Sequence, residues 1–591
     1  MPGPGCSPAA GPDRVARVAR VVTDVAGIDK EFDYLIPAEM AAGITVGTQV
    51  RVPLGGRRVG AWVLATGPAE PGYDGPARRP LAKRRGYGPE PETVHLAGWA
   101  AWRWAGKRAT FLTAASAGSA VTRLPPTRRR APAPPPDGAA PRLPAGAGVH
   151  VIRMAPAADP TALVAAAAQR GPTLVVVPST SRAAVLAGRL RRAGGDVALL
   201  PDDWPAARAG AGVVIGARAA AWAPCPDLAA VVVLDAHDES LRQEGAPTWD
   251  AVAVAAERAG RAGTACFLVS PCPSLELLAL GRLHTPEPSV ERSGWAALEV
   301  LDRRRDDPRT GLYSDRLVDL VRSGQRVACI LNRTGRVRLL ACGSCGELVR
   351  CERCSAAMAS PERGRLACPR CGHTRPSVCA RCGSISLKSL RVGTGRARED
   401  LERLAGRPVG EVAGPARGPR GARLPDTDVL VGTEALLHRL HPGSGFATVA
   451  FVDFDQELLA PRVRAPEEAL GLLALASRVV RGRAGRVVVQ TRLPDHPVIR
   501  AALVGDPGPA TAGQDDLRRT LRFPPFAAVA LVSGDAAAEW VARLRGVEVL
   551  GPDGGRWMVK APDPAALADA LAAVPRPERG TLRVAVDPPR L

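Results

Sequence analysis

The stretch "VVVLDAHDESLRQEG" (Val231–Gly245) sets an aspartate at the end of an unbroken apolar run. A short, continuous run of branched apolar residues reads as a strand buried on both faces, as in a parallel sheet covered by helices. A carboxylate at the carboxyl end of that strand, followed by His237 and more acids, is how the magnesium–nucleotide strand of a nucleic-acid motor reads. Such a motor sets a glutamate directly after the aspartate to activate water. Here that residue is Ala236.

Working outward, "VHVIRM", "TLVVVP", "VALLP", "GVVIGA" and "ACFLVS" are runs of the same kind, separated by Ala/Arg/Leu-rich helical stretches. A second set comprises "RVACILN", "DVLVGT", "ATVAFVDF" and "RVVVQT". This β–α alternation predicts an α/β multidomain chain with two lobes, at 149–285 and 286–500, the second interrupted by an insert at 340–385. Before them, 13–70 alternates apolar and polar residues between Pro and Gly, and predicts a β-rich domain. Residues 71–90 read as a Pro/Gly/Arg linker. Residues 91–122 read as a small helical domain whose Trp99, Trp102 and Trp104 serve as core rather than as base-stacking platforms. Residues 123–148, Pro-rich and basic, read as a linker. Residues 501–591 read as a smaller α+β domain.

The chain has 591 residues, a formal net charge of +21 and only five lysines, Lys30, Lys83, Lys107, Lys388 and Lys560. Such a charge favours a polyanionic partner, nucleic acid above all, although an Arg-rich composition also raises it without any binding face. No apolar run reaches the ~18 residues of a membrane span. The N-terminus shows no secretion signal. The expected location is cytoplasmic and nucleoid-associated, with no membrane partner.

Eight of the thirteen cysteines form four C-x-x-C pairs between Cys342 and Cys382, spaced C-x2-C-x5-C-x2-C-x13-C-x2-C-x7-C-x2-C. Each pair turns two thiolates toward one ion, and two pairs complete a tetrahedral site, so eight thiolates imply two zinc ions. Iron–sulfur clusters are the rival, which intervening basic residues and paired knuckles disfavour. Spacing alone allows three pairings. Glycines after Cys342, Cys345, Cys371 and Cys382 suit tight knuckle turns. Cys6, Cys225, Cys266, Cys272 and Cys329 are scattered, and the last four read as small core residues.

"EFDYLIP", "RVPLGGRRVGAWV", "GVVIGARAAAWAP", "LNRTGRVRLLACGSCGELVRCERC", "GRAGR", "DHPVI" and "FPPFAAVAL" together resemble the PriA family of bacterial primosomal replication-restart proteins. The resemblance runs along nearly the whole chain. It implies a β-rich N-terminal domain that holds a DNA 3′ end, two RecA-like helicase lobes with a double zinc-ribbon insert in the second, and a small C-terminal domain. It implies a strand-end pocket at Phe32, Asp33 and Gly55. It also implies nested pairing, with Cys342, Cys345, Cys379 and Cys382 on one ion and Cys351, Cys354, Cys368 and Cys371 on the other. The family's partners are forked or branched DNA, single-strand-binding protein, and a helicase loader or replicative helicase.

The departures from that family fall on its engine. The loop expected to read G-x-T-G-S-G-K-T is Ala155 to Thr161, "APAADPT", where Pro160 stands at the lysine position and removes an N–H that would face phosphate. No lysine occurs between Lys107 and Lys388, so lobe one has none to offer. The D-E-E-H box reads Asp235-Ala236-His237-Asp238, with Glu239 the nearest substitute for the missing glutamate. The S-A-T-P motif reads Ser270 to Pro273, "SPCP". The Q-x-x-G-R-x-x-R motif keeps Arg483 and Arg486 but not its glutamine. Those arginines are expected to bind DNA or to form interlobe ion pairs. These losses argue against ATP and magnesium as cofactors and against any catalytic residue. They predict a replication-restart factor that recognises forks without unwinding them. The alternatives are an ATP-dependent 3′-to-5′ helicase with an unorthodox nucleotide site, and a zinc-ribbon nucleic-acid protein of unrelated role.

Overall fold

The computed structural model describes residues 17–591 except 26, 70–77, 135–141, 305, 307–311, 332–338, 363, 390–393 and 413–423. Cys6 and residues 332–338, which lead toward the cysteines, lie outside the described residues.

The first sheet is antiparallel, with strands in the spatial order Glu31–Ile36, Arg17–Thr23, Arg57–Pro68, Gln49–Leu54, Lys83–Gly86. It curls until its edges meet: the Leu35 N–H donates to the Arg79 carbonyl at 3.0 Å, and the Leu81 N–H donates to the Leu35 carbonyl at 3.0 Å. Closure of this kind removes exposed strand edges. Inward positions alternate along each strand, so Val21, Tyr34, Ile36, Val50, Val52 and Val63 fill the interior. The stretch 71–90, read as linker, thus carries the closing bridge and the fifth strand.

Lobe one is a seven-stranded parallel sheet in the order Arg282–His284, Gly148–Arg153, Ala265–Ser270, Ala230–Leu234, Thr173–Val176, Val213–Gly216, Val197–Leu199. Lobe two is a six-stranded parallel sheet in the order Ala297–Asp302, Arg486–Thr491, Thr448–Phe451, Val327–Ile330, Val429–Gly432, Val409–Val412. The cysteine insert leaves lobe two after Val327–Ile330. The C-terminal sheet is antiparallel, built from Glu548–Asp553, Arg556–Ala561, Ala528–Ser533 and Arg583–Val586. The chain thus carries two parallel α/β lobes, preceded by an antiparallel β unit.

The helices Pro91–Arg103 and Arg108–Ala115 share one core with lobe one and the C-terminal sheet. Trp104 is fully buried and edge-on to Trp99 at 5.3 Å. The aromatic contacts continue through Phe111 to Trp222 and Trp249 in lobe one. Trp102 instead donates its indole N–H to Asp569 at 2.8 Å. Residues 123–134 run extended over lobe one. The Thr127 hydroxyl donates to the Ala209 carbonyl at 2.7 Å, and the Arg130 N–H donates to the Asp196 carboxylate at 2.9 Å. Glycine at position 212 makes room for this strap, because a Cβ there would come within 2.7 Å of the Arg130 carbonyl oxygen. Backbone-mediated docking of this kind leaves no apolar period to read.

Candidate nucleotide cleft, metal centres and strand-end pocket

The loop after the strand Gly148–Arg153 is closed on itself. The Asp159 carboxylate accepts from the Thr161 N–H at 3.0 Å and from its hydroxyl at 2.6 Å, and also pairs with Arg189 at 2.8 Å. The helix Thr161–Ala168 therefore has its own carboxylate at the amino end, where a phosphate-binding loop would offer bare N–H groups to an anion. The Ala157 N–H donates to the Gly294 carbonyl at 3.3 Å, and Gly294 lies against buried Ala155.

Asp235 follows the strand Ala230–Leu234 at φ 50° and is 4% exposed. Its carboxylate is held from both lobes. Arg182, from the helix Thr180–Arg192 of lobe one, pairs with one oxygen. Arg478, from the helix Ala465–Val479 of lobe two, donates to both oxygens at 2.6 and 3.0 Å, and its Nε donates to the Pro156 carbonyl at 2.8 Å. Two guanidiniums thus occupy the carboxylate, and one also reaches the loop that would face phosphate. Burial lowers Arg478 to about 10, which leaves it a cation at neutral pH.

The rest of the box is also engaged. The Ala236 N–H donates to the Val269 carbonyl at 2.9 Å. His237 Nδ1 lies 2.9 Å from the Ser270 hydroxyl, and burial lowers the imidazole to about 4, so the ring is neutral. Glu239 does not stand in for the missing glutamate beside Asp235: it lies next to Glu468 of lobe two, whose carboxyl is pushed up by burial and then by this acidic neighbour. The lobes are clasped further by Leu275 N–H to Glu467 at 2.8 Å and by Arg464 to Glu276 at 2.7 Å. About 50 Å³ of space remains between Asp235, His237, Glu468 and Arg478, against the roughly 300–1,000 Å³ usual for small-molecule pockets.

Arg483 and Arg486 are exposed and make local contacts, Arg483 to the Arg292 carbonyl at 3.4 Å and Arg486 to Glu299 at 3.1 Å. Neither reaches lobe one. Arg478 and Arg464 do, and the motif reading passes over both. A signal for Arg478 exists, since it is the only charge in residues 469–480, "ALGLLALASRVV". A lone cation in an otherwise apolar helix face needs a partner.

The eight cysteines gather into two groups, Cys342/Cys345/Cys379/Cys382 and Cys351/Cys354/Cys368/Cys371, with all sulfurs of a group within 4.8 Å of one another. The closest pairs are 3.5 Å (Cys342–Cys382, Cys351–Cys371, Cys354–Cys368) and 3.6 Å (Cys345–Cys379, Cys354–Cys371). Bonded sulfurs would sit about 2.0 Å apart, whereas Zn–S bonds of about 2.3 Å give a tetrahedron edge near 3.8 Å. The donor set and its size fit two four-coordinate soft cations such as zinc. Three knuckles turn on a left-handed glycine, Gly346, Gly372 and Gly383, each donating its N–H to the carbonyl of the first cysteine of its pair. The fourth turns on Ser355 at φ 58°, a position that no glycine marks. Gly343 lies inside the first knuckle but not at its left-handed position, and donates its N–H to the Ser386 carbonyl at 2.7 Å. The scattered Cys225, Cys266, Cys272 and Cys329 are buried, and burial pushes Cys225, Cys266 and Cys329 up to about 12.

Phe32 and Asp33 lie on the strand Glu31–Ile36 and, as neighbours, face opposite sides. Phe32 is half-buried against the barrel interior, while Asp33 pairs with Arg20 through two bonds of 3.0 and 3.3 Å. Gly55 and Gly56, at φ 56° and 77°, form the exposed two-residue turn of the next hairpin, where only glycine-like residues sit without strain. A Cβ at Gly55 would meet nothing within 4 Å. The Tyr34 hydroxyl donates to the Pro53 carbonyl at 2.9 Å, tying the Phe32–Asp33 strand to the strand that leads into this turn.

Residues 20–116 match the family model described as the PriA 3′ DNA-binding domain. The replication restart protein PriA of Thermotoga maritima is 28% identical over 376 residues, 58% of this chain and 50% of that one. The Bacillus subtilis protein of the same name is 27% identical over 61% of this chain and 49% of its own. The chain spans about half the length of these relatives. The probable replication restart protein PriA of Mycobacterium tuberculosis (strain CDC 1551 / Oshkosh) is 29% identical over 575 residues, 86% of this chain and 85% of that one. Among solved structures, the E. coli DExH-box NTPase HrpB matches with a TM-score of 0.30 at 12% identity, covering 60% of this chain and 40% of that one. Over residues 20–116, and with the mycobacterial protein over 86% of its length, this chain is similar to the PriA replication restart proteins.

Proposed function

We propose that this chain recognises forked DNA by a free 3′ end and helps reassemble the replication machinery there, without ATP-driven strand separation. The observation that carries the reading is the Asp235 carboxylate held by Arg182 and Arg478, next to a loop that has no lysine and whose following helix gives its first N–H to Asp159. In a phosphoryl-transfer site that carboxylate would face a metal ion and the loop would face the phosphates. Here the same groups fasten two lobes together. What remains is a basic scaffold suited to holding DNA and presenting it to single-strand-binding protein, a helicase loader or a replicative helicase. Two zinc ions, on the two cysteine groups, would support the insert. Among the described residues no helix is long and apolar enough to cross a membrane, which accords with a nucleoid-associated, cytoplasmic role.

In this reading Asp33 accepts a hydrogen bond from the terminal 3′-hydroxyl and Gly55 keeps the turn open to the strand, while Phe32, on the opposite face of its strand, would have to turn out of the barrel to stack the terminal base. A 3′-phosphate removes that donor and adds a like charge. Affinity for a fork with a blocked leading end is expected to fall about tenfold, the worth of one hydrogen bond to a charged group. Fluorescence anisotropy on matched forks measures this, and equal affinity for blocked and free ends would remove the pocket assignment.

The His237–Ser270 bond favours a second reading, since it still links the D-E-E-H box to the "SPCP" segment as coupling in an active helicase requires. An ATPase assay separates the two.

A further inference from the structure

A cavity of about 390 Å³ lies between the cysteine insert and lobe two. One wall is the Cys345 knuckle with Glu347, Arg350 and Arg381. The other is Arg304 and the run Arg492 to His496. Four guanidiniums and two carboxylates, Glu347 and Asp495, line it, with Asp302 beside Arg304, and with Asp453 and the buried Asp455 near Arg492.

Arg350 and Arg381 share one carboxylate, that of Glu347. Glu347 accepts a long hydrogen bond from Arg350 at 3.4 Å and lies 3.6 Å from Arg381, too far to accept from it as well. Arg304 pairs with Asp302 and reaches Asp495, itself 85% exposed. Arg492 is half-buried in the wall, and its Nε–H is buried without an acceptor. A buried donor left unmade is costly, and a fork of guanidinium donors matches the oxygens of a phosphate.

We propose that this cavity takes a backbone phosphate of a nucleic-acid strand, so that one strand bridges the insert and lobe two. The inference deepens the fork-binding reading and rests on it. A phosphodiester is favoured over a free anion because the walls come from two separate units of a chain of charge +21.

The test uses the full chain and a 30-nucleotide single strand, with affinity read by anisotropy across a salt series. R350Q/R381Q is expected to bind about tenfold more weakly, because the phosphate loses its charge-assisted hydrogen bonds. The slope of log K against log salt should shrink by about one counterion. Glu347→Gln should do the opposite and tighten binding, because it frees both guanidiniums. Wild-type metal content in each variant shows that the insert is intact. Unchanged affinity and slope in R350Q/R381Q, with discrimination of the fork 3′ end preserved, would overturn the cavity assignment alone. Displacement of the strand by millimolar inorganic phosphate or ATP at constant ionic strength, lost in R350Q/R381Q, would assign the cavity to a free anion and overturn the nucleic-acid reading. Absence of any DNA binding by the wild type would overturn both readings.

Discussion

Asp235→Ala should destabilise this protein, with the unfolding of its two lobes moving to lower urea by the equivalent of about 3–5 kcal/mol, the cost of removing one partner from a buried ion pair. In a working motor an aspartate at this position serves a metal ion and nucleotide, and its loss silences turnover while the fold stands. Here the carboxylate is the counter-charge of two arginines, one on each lobe. Removing it leaves Arg182 and Arg478 facing each other, and burial together with Arg478 already pushes Arg182 well below its ordinary range. Arg478→Ala added to Asp235→Ala should recover part of the loss, because it removes the uncompensated charge and its repulsion of Arg182. A double-mutant cycle isolates the pair from other effects. The transition midpoint is the quantity to follow, since a chain with several units need not unfold in one step. A wild-type midpoint for Asp235→Ala would mean that the arginines do not depend on this carboxylate.

The second large effect concerns the insert. Purified protein without an affinity tag should carry two zinc ions per chain, and Cys351→Ser should carry one. The insert's core beside that group is small, chiefly Leu340, Val349, Ala356, Met358 and Leu366 around the cysteines themselves. So few apolar groups do not hold a fold unaided, whereas structural zinc sites contribute about 10–16 kcal/mol of apparent binding energy. Chelation should therefore melt the short strands Ala359–Glu362, Arg365–Ala367 and Thr374–Pro376 while the parallel sheets persist. Cys351→Ser and Cys368→Ser should lose the same ion and Cys379→Ser the other. Metal analysis of the three variants reads this directly. Iron with visible absorption, or both ions lost with every cysteine, would contradict the assignment.

The parallel lobes were legible because strands such as Ala230–Leu234 and Ala265–Ser270 are buried along their whole length and so carry unbroken apolar runs. The cysteines were legible because a C-x-x-C pair is a local device. The closing bridge of the N-terminal barrel was not, because Leu35 meets residues 79–81 through backbone groups that any sequence supplies. Docking of residues 123–134 escaped notice for the same reason. Arg478 was hidden differently: its partner Asp235 lies 243 residues away, and charge near a recognised arginine motif draws attention to Arg483 and Arg486 instead. The sequence places Phe32 beside Asp33, but a strand turns neighbours to opposite faces, so adjacency in the chain does not by itself make them one pocket.

The most direct measurement is ATP hydrolysis by the full chain in the presence of a fork with a free 3′ end, read beside fork binding and strand separation in the same buffer. The account predicts a bound fork, phosphate release at background and no strand separation, because the carboxylate, the loop and the space a nucleotide requires are committed to joining the lobes. Fork-stimulated turnover that saturates in Mg-ATP and disappears in a folded Asp235→Asn variant would contradict it and establish the helicase reading.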